Sequence, residues 1–132
     1  MSARLILLAE DDEDVRMLAE LVLRREGFEV IAVADGDAAF EAAIAQPPAV
    51  AVLDVSMPLM NGLETARLLR EHPATRDVPI MLLTARVMEA DRERGRQAGV
   101  DDQLDKPFSP AVLAQRVRAL VDGRPNQEHA AR

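Results

Sequence analysis

Cysteine, tryptophan and tyrosine are absent from the 132 residues, and lysine occurs once, at Lys106. Without cysteine there is no disulfide scaffold, thiol nucleophile, thiolate zinc site or iron–sulfur cluster. Histidine is nearly missing too: His72 and His129 are too far apart in the chain to suggest a histidine-rich metal site. With three Phe as the only aromatics, little is available to stack a nucleotide or flavin ring. No run approaches the roughly 18 apolar residues of a membrane span. Met1 to Leu8 reads as mature structure, with Arg4 and no cleavage signature, so a cytoplasmic protein is expected. Positive charge is in deficit: 16 basic against 23 acidic residues leave a net charge of -7. That balance argues against this domain gripping nucleic acid or an anionic membrane, since both repel negative charge.

What is present suits one domain, expected over 1–121, with 122–132 as a flexible tail or the start of a linker. Short apolar runs at Leu5 to Ala9, Phe28 to Ala34, Ala49 to Leu53 and Val78 to Leu83 read as buried strands, with a weaker one at Gln103 to Asp105. Helical spacing separates them. It is clearest at Val15, Leu18, Ala19, Val22 and Leu23, and continues at about 37–45, 62–71, 87–98 and 110–121. Ser109 followed by Pro110 reads as a helix start, and Gly27 and Gly99 as residues just past helix ends. Five strand-then-helix units in one small domain predict an α/β fold: a five-stranded parallel sheet with helices on both faces.

In such sheets ligands bind beyond the carboxyl ends of the strands, and four of those ends carry reactive side chains. The first strand runs into Glu10-Asp11-Asp12-Glu13-Asp14. Five adjacent carboxylates repel by about 1 kcal/mol per pair at 4 Å in bulk water, so something must offset them. Asp11 or Asp12 could cap the following helix, whose positive end also favours the later acids. Glu10 and Asp11, ending a buried strand, are better explained by a hard cation such as Mg²⁺. Both readings stand at this point. Asp54 ends the third strand, either as a turn-forming residue before Ser56-Met57-Pro58 and the turn dipeptide Asn61-Gly62, or as a carboxylate able to attack phosphorus beside a metal ion. Thr84 ends the fourth strand, as a strand residue, a cap, or a hydroxyl for a phosphoryl oxygen. Lys106 ends the fifth, the one lysine in a chain with 15 arginines. Its compact charge reaches a single oxygen where a guanidinium fork demands two partners.

Together, Leu-Ala-Glu10-Asp11, Leu53-Asp54-Val-Ser-Met-Pro58 with Asn61-Gly62, Leu83-Thr84-Ala85 and Lys106-Pro107-Phe108 resemble the receiver domain of bacterial two-component response regulators, the family of the chemotaxis regulator. The resemblance covers about residues 3–121. It implies a flavodoxin-like (βα)5 fold with strand order 2-1-3-4-5. It also implies Mg²⁺ held by Asp11, Asp54 and the Ser56 backbone carbonyl, with Glu10 or Asp12 reaching the ion through water. Asp54 would be the phosphoacceptor, taking a phosphoryl group from a sensor histidine kinase or phosphotransfer protein. Lys106 and Thr84 would contact the phosphoryl oxygens, and the surface of the fourth helix, fifth strand and fifth helix would rearrange. Such a domain is not an enzyme beyond its own phosphorylation and slow dephosphorylation. The pattern departs at Gln103, where many members carry Tyr or Phe; Gln103 is expected to act as a polar substitute on the output face.

Two other classes compete. A haloacid-dehalogenase-type phosphatase also uses a strand-end Asp, but places a second Asp where this chain has Ser56. A pseudo-receiver interaction module would need none of Glu10, Asp11, Asp54, Thr84 and Lys106. A stand-alone regulator, a fragment carrying a fused output domain, and a phosphorylation-dependent homodimer are all compatible with the chain.

Overall fold

The computed structural model describes residues 4–85 and 89–123. Five strands and five helices alternate: β1 (Leu5–Ala9), α1 (Glu13–Arg25), β2 (Glu29–Val33), α2 (Gly36–Ala45), β3 (Val50–Asp54), α3 (Gly62–Glu71), β4 (Ile80–Thr84), α4 (Glu89–Gln97), β5 (Asp102–Asp105) and α5 (Pro110–Val121). All neighbouring strands pair in parallel, in the expected order β2-β1-β3-β4-β5. The start expected for the fourth helix and most of the expected tail, 86–88 and 124–132, lie outside the described residues.

Unbroken apolar strands arise because both faces of the sheet are covered. Alternate residues serve opposite sides. Leu7, Leu53, Ile80 and Leu82 pack against Ala39 and Ala43 of α2 and Ala66 and Leu69 of α3. Ile6, Leu8, Val52, Met81 and Leu83 pack against Ala19 and Leu23 of α1 and Leu113 and Val117 of α5. β3 and β4 are buried at every position, so a charged or polar residue at their ends leaves the core abruptly.

Short polar side chains begin the helices by accepting orphan N–H groups. Asp12 caps α1 through Val15, Asp35 caps α2 through Ala38, and Ser109 caps α5 ahead of Pro110. Asn61 differs from its sequence reading. It does not form a turn dipeptide but caps α3, in a reciprocal box with Glu64, and Gly62 is the first helical residue. Glycine is required there by contact: a Cβ at Gly62 would strike the Asp54 carbonyl, with its carbon 2.9 Å away. The start of α3 therefore rests directly on the backbone of the strand end that carries Asp54.

The strand order reverses between β1 and β3: from β1 the chain builds outward to β2, and from β3 to β4 and β5. The crevice this creates opens at the carboxyl ends of β1 and β3. Gly62→Ala is expected to destabilise the protein by about 1–3 kcal/mol, the usual cost of overpacking a close contact. A denaturation midpoint equal to wild type would show that the α3–β3 contact relaxes freely.

Candidate functional site

Glu10 follows β1, and Asp54 is the last residue of β3; both are withdrawn from water, with 0% and 1% of their surfaces exposed. Asp11 beside them is exposed. One carboxylate oxygen from each of Glu10, Asp11 and Asp54 falls within a group spanning 4.8 Å. Lys106 arrives from the end of β5, its Nζ 2.9 Å from Glu10 Oε1 and 3.2 Å from Asp54 Oδ1. The remaining bonds come from the backbone: Asp12 N–H donates to Glu10 Oε2 at 3.0 Å, and Ser56 N–H to Asp54 Oδ1 at 3.2 Å. Arg16 of α1, which the sequence reading passed over, donates to the Glu10 carbonyl at 2.9 Å and steadies the loop.

This arrangement is short of positive charge. Three carboxylates face one ammonium, and among the described residues Asp54 Oδ2 is buried without a hydrogen-bond partner. Glu10 Oε1 is ion-paired with Lys106 but lies off the direction of a hydrogen bond. An all-oxygen donor set with surplus negative charge and an orphaned buried oxygen fits a hard divalent cation. Glu10, Asp11 and Asp54 are the side chains that could hold one. Asp12 caps α1, its Oδ1 accepting from Val15 N–H at 3.0 Å.

Thr84 ends β4, next to β3, and is 5% exposed. Its hydroxyl donates to Asp105 Oδ1 at 3.2 Å. Gln103 is not presented on an open face. It is 8% exposed, and its Nε2 donates to the Arg92 carbonyl of α4 at 3.0 Å. α4 accommodates it at Gly95, where a Cβ would lie 2.7 Å from Gln103 Cδ. Among the described residues, Gln103 Oε1 is buried without a hydrogen-bond partner. Between α4 and the strand ends lies a cavity of about 220 Å³, lined by Ser56, Leu63, Thr84, Ala85, Arg94 and Gln103 among others. Asp105 and Gly95 escaped the sequence reading. The one available signal was register, since Asp105 is the residue opposite Thr84 in the β4–β5 pair.

The model of the response regulator receiver domain matches residues 6–118, almost the whole described chain. The chain belongs to the response regulator receiver domain family. Among its relatives, the transcriptional regulatory protein GltR of Pseudomonas aeruginosa is 41% identical over 120 residues, which cover 91% of this chain and 50% of the relative. The transcriptional regulatory protein SrrA of Staphylococcus aureus is 40% identical over 116 residues, covering 88% of this chain and 47% of the relative. The chain thus spans about half the length of these curated relatives. A putative response regulator from Chloroflexus aurantiacus superposes with a TM-score of 0.87 at 34% identity, covering 92% of this chain and 99% of that one. The receiver domain of the sensor histidine kinase PA1611 from Pseudomonas aeruginosa superposes with a TM-score of 0.85 at 35% identity, again over 92% and 99% of the two chains. That structure has a magnesium ion coordinated in its active site cleft.

In the receiver domain described here, crowding of like charge separates the acids. Burial above all, then the Asp11 and Glu10 carboxyls, pushes Asp54 up to about 7, against the opposing pull of Lys106. The neighbouring Asp54 carboxyl, more than any other group, holds the Asp11 carboxyl below its ordinary value against the opposing effect of burial. Burial pulls Lys106 down, but Glu10 and Asp54 together outweigh it and leave the ammonium more basic than usual. Because Asp54 is raised from an ordinary 3.8 to about 7, the folded protein holds a proton there that the unfolded chain has already lost. Stability therefore falls as pH rises through that interval. Asp11 is lowered from 3.8, so its contribution is lost only below that pH; Lys106 is raised from 10.5, so its contribution is lost only above it. Metal-free protein is expected to lose stability between about pH 4 and about pH 7, and Asp54→Asn to flatten that slope. Chemical denaturation at stepped pH measures it; a wild-type slope that Asp54→Asn leaves unaltered would remove Asp54 as its source.

Proposed function

We propose that this receiver domain is a phosphoacceptor, taking a phosphoryl group onto Asp54 from a phosphohistidine of a histidine kinase or phosphotransfer protein. The observation that carries the reading is the state of Asp54: a buried strand-end carboxylate with one oxygen held by Ser56 N–H and Lys106 and the other without a hydrogen-bond partner among the described residues. Glu10, Asp11 and Asp54 are the side chains that would hold Mg²⁺, together with the Ser56 backbone carbonyl. When bound, Mg²⁺ would neutralise the negative charge of the carboxylates and of an incoming phosphoryl group.

The chain's own residues account for the rest. Asp54 gives up its proton to solvent and a carboxylate oxygen attacks phosphorus; the P–N bond of the phosphohistidine breaks, the imidazole nitrogen leaves with that electron pair and takes up a proton from solvent where it needs one, and an acyl phosphate forms. Lys106 is held beside Glu10 and Asp54 before the donor arrives, so its charge meets the phosphoryl oxygens without reorganisation. Thr84, on the strand next to Asp54, supplies a hydroxyl to the transferred group. Catalysis on this scheme is positioning and charge neutralisation, and it serves the domain's own phosphorylation and slow dephosphorylation, with no turnover of an external substrate. The twofold length of the relatives and their names as transcriptional regulators support an output domain or partner that acts on transcription.

Output passes to the face formed by α4, β5 and α5, as a shift between two populated states. Gln103 of β5 touches α4 at Arg92 and Gly95. A buried amide with one unmet acceptor has a reason to change partners, so it replaces a rotating aromatic ring by an exchange of hydrogen bonds.

Incubation with Mg²⁺ and acetyl phosphate, followed by intact mass measurement, tests the central claim. Wild type is expected to gain one phosphoryl group and Asp54→Asn none; equal gain in both variants, no gain in wild type, or rapid multiple turnover of the donor with no phosphorylated protein accumulating each contradicts it. Gln103→Ala is expected to remain phosphorylatable but to lose most of the difference in partner affinity between the phosphorylated and unphosphorylated forms. An unchanged difference would take Gln103 out of the output path.

A further inference from the structure

Thr84 occupies the strand between the two that end in Asp54 and Asp105. A hydroxyl has one proton, and it serves one acceptor at a time. In this structure that proton goes to Asp105 Oδ1 at 3.2 Å, on the β5 side. The placement is built into the backbone: Thr84 and Asp105 are register partners, and Lys106 N–H donates to the Thr84 carbonyl at 2.6 Å, closing the pair at the sheet's end.

We propose that Asp105 is a positioning residue that holds the Thr84 hydroxyl toward β5 in the unphosphorylated protein, so that a phosphoryl group on Asp54 has to compete for it. The proposal rests on the phosphoacceptor reading and adds a determinant of its set point. A carboxylate is a strong acceptor for a hydroxyl, which favours the resting arrangement. Two features keep the latch releasable. Its length exceeds the usual 2.5–3.0 Å or so of a hydroxyl-to-oxygen bond, and Asp105 is exposed, so water can replace Thr84 as its partner. The space into which the side chain turns already exists, because Thr84 lines the cavity under α4 along with Ser56, the neighbour of Asp54 in the loop after β3. The fraction of molecules with the hydroxyl free scales the apparent affinity for a phosphoryl group, as with any ligand that binds one of two states.

Beryllofluoride, a phosphoryl mimic bound with Mg²⁺, provides the test. Asp105→Ala is expected to bind it roughly 2- to 10-fold more tightly than wild type, the range set by the net strength of one hydrogen bond. Asp105→Asn, which keeps an acceptor oxygen but loses the charge that strengthens the bond, is expected to gain clearly less than Asp105→Ala. In a Thr84→Val background, Asp105→Ala is expected to change nothing, because the hydroxyl through which it acts is gone. The Thr84 methyl resonance of unliganded Asp105→Ala should also move toward its beryllofluoride-bound position. An equal gain from Asp105→Asn, or a gain that persists with Thr84→Val, would mean that Asp105 acts only through its charge and would overturn the latch. If wild type binds beryllofluoride and Asp105→Ala leaves its affinity unchanged, the latch alone falls. If wild type binds none, the phosphoacceptor reading falls and the competition with it.

Discussion

Glu10 and Asp54 are buried at the carboxyl ends of adjacent parallel strands, and the cost of placing two carboxylates there governs the site. An isolated buried charge is too expensive for a fold of marginal stability, so it must be paired, protonated or coordinated. All three outcomes are visible or prepared. Lys106 pairs with both acids, Asp54 retains a proton to about pH 7, and one Asp54 oxygen is left open to a cation or phosphorus. Capping satisfies Asp12, so the helix dipole explains only the outer part of the acidic run. Glu10 instead accepts the Asp12 N–H, which ties the buried acid to the start of α1.

The fold supplies this crowding because every reactive group leaves the sheet at the same edge. β1 and β3 are neighbours that diverge in connection, so the loops after them cannot fill the gap between their ends. α3 then fixes the far wall, since Gly62 lets its first turn touch the Asp54 carbonyl while Asn61 and Glu64 hold its amino terminus. The fifth strand brings the compensating charge from two strands away, and Lys106 spans β4 to reach acids on β1 and β3. A long flexible stem suits that reach.

Much of this was legible in the chain because the relevant signals are local. Apolar runs of about five residues, helical spacing between them and caps such as Ser109-Pro110 gave the layers and their order of appearance. The acidic run, Asp54 and the single lysine marked the strand ends where chemistry collects. Sequence could not choose between Asp11 and Asp12 as the cap, because both residue types fit and only backbone geometry separates them. Asn61-Gly62 suggested a turn for the same reason: the preferences that favour turns also favour helix starts. Gln103 and Asp105 depend on what lies across the sheet or above it, and no local pattern records that Gly95 of α4 sits over one and Thr84 beside the other.

The polar character of the contact between β5 and α4 follows from the absence of an aromatic residue at position 103. An aromatic ring at position 103 would fill space by area and turn as a rigid body, whereas Gln103 fills it through a donor and an acceptor that must be matched separately. Its donor is matched by the Arg92 carbonyl, and its acceptor has no hydrogen-bond partner among the described residues, beside a cavity that Thr84 also lines. A large side chain at residue 95 would drive Gln103 out, so glycine on α4 and glutamine on β5 are paired by size. Because the unmatched oxygen raises the free energy of this arrangement, any movement of α4 or Thr84 that supplies a donor is favoured by the gain of one hydrogen bond. On the reading proposed above, coupling between site and surface would run through hydrogen-bond exchange in this confined space, with a strength set by how few partners the space provides.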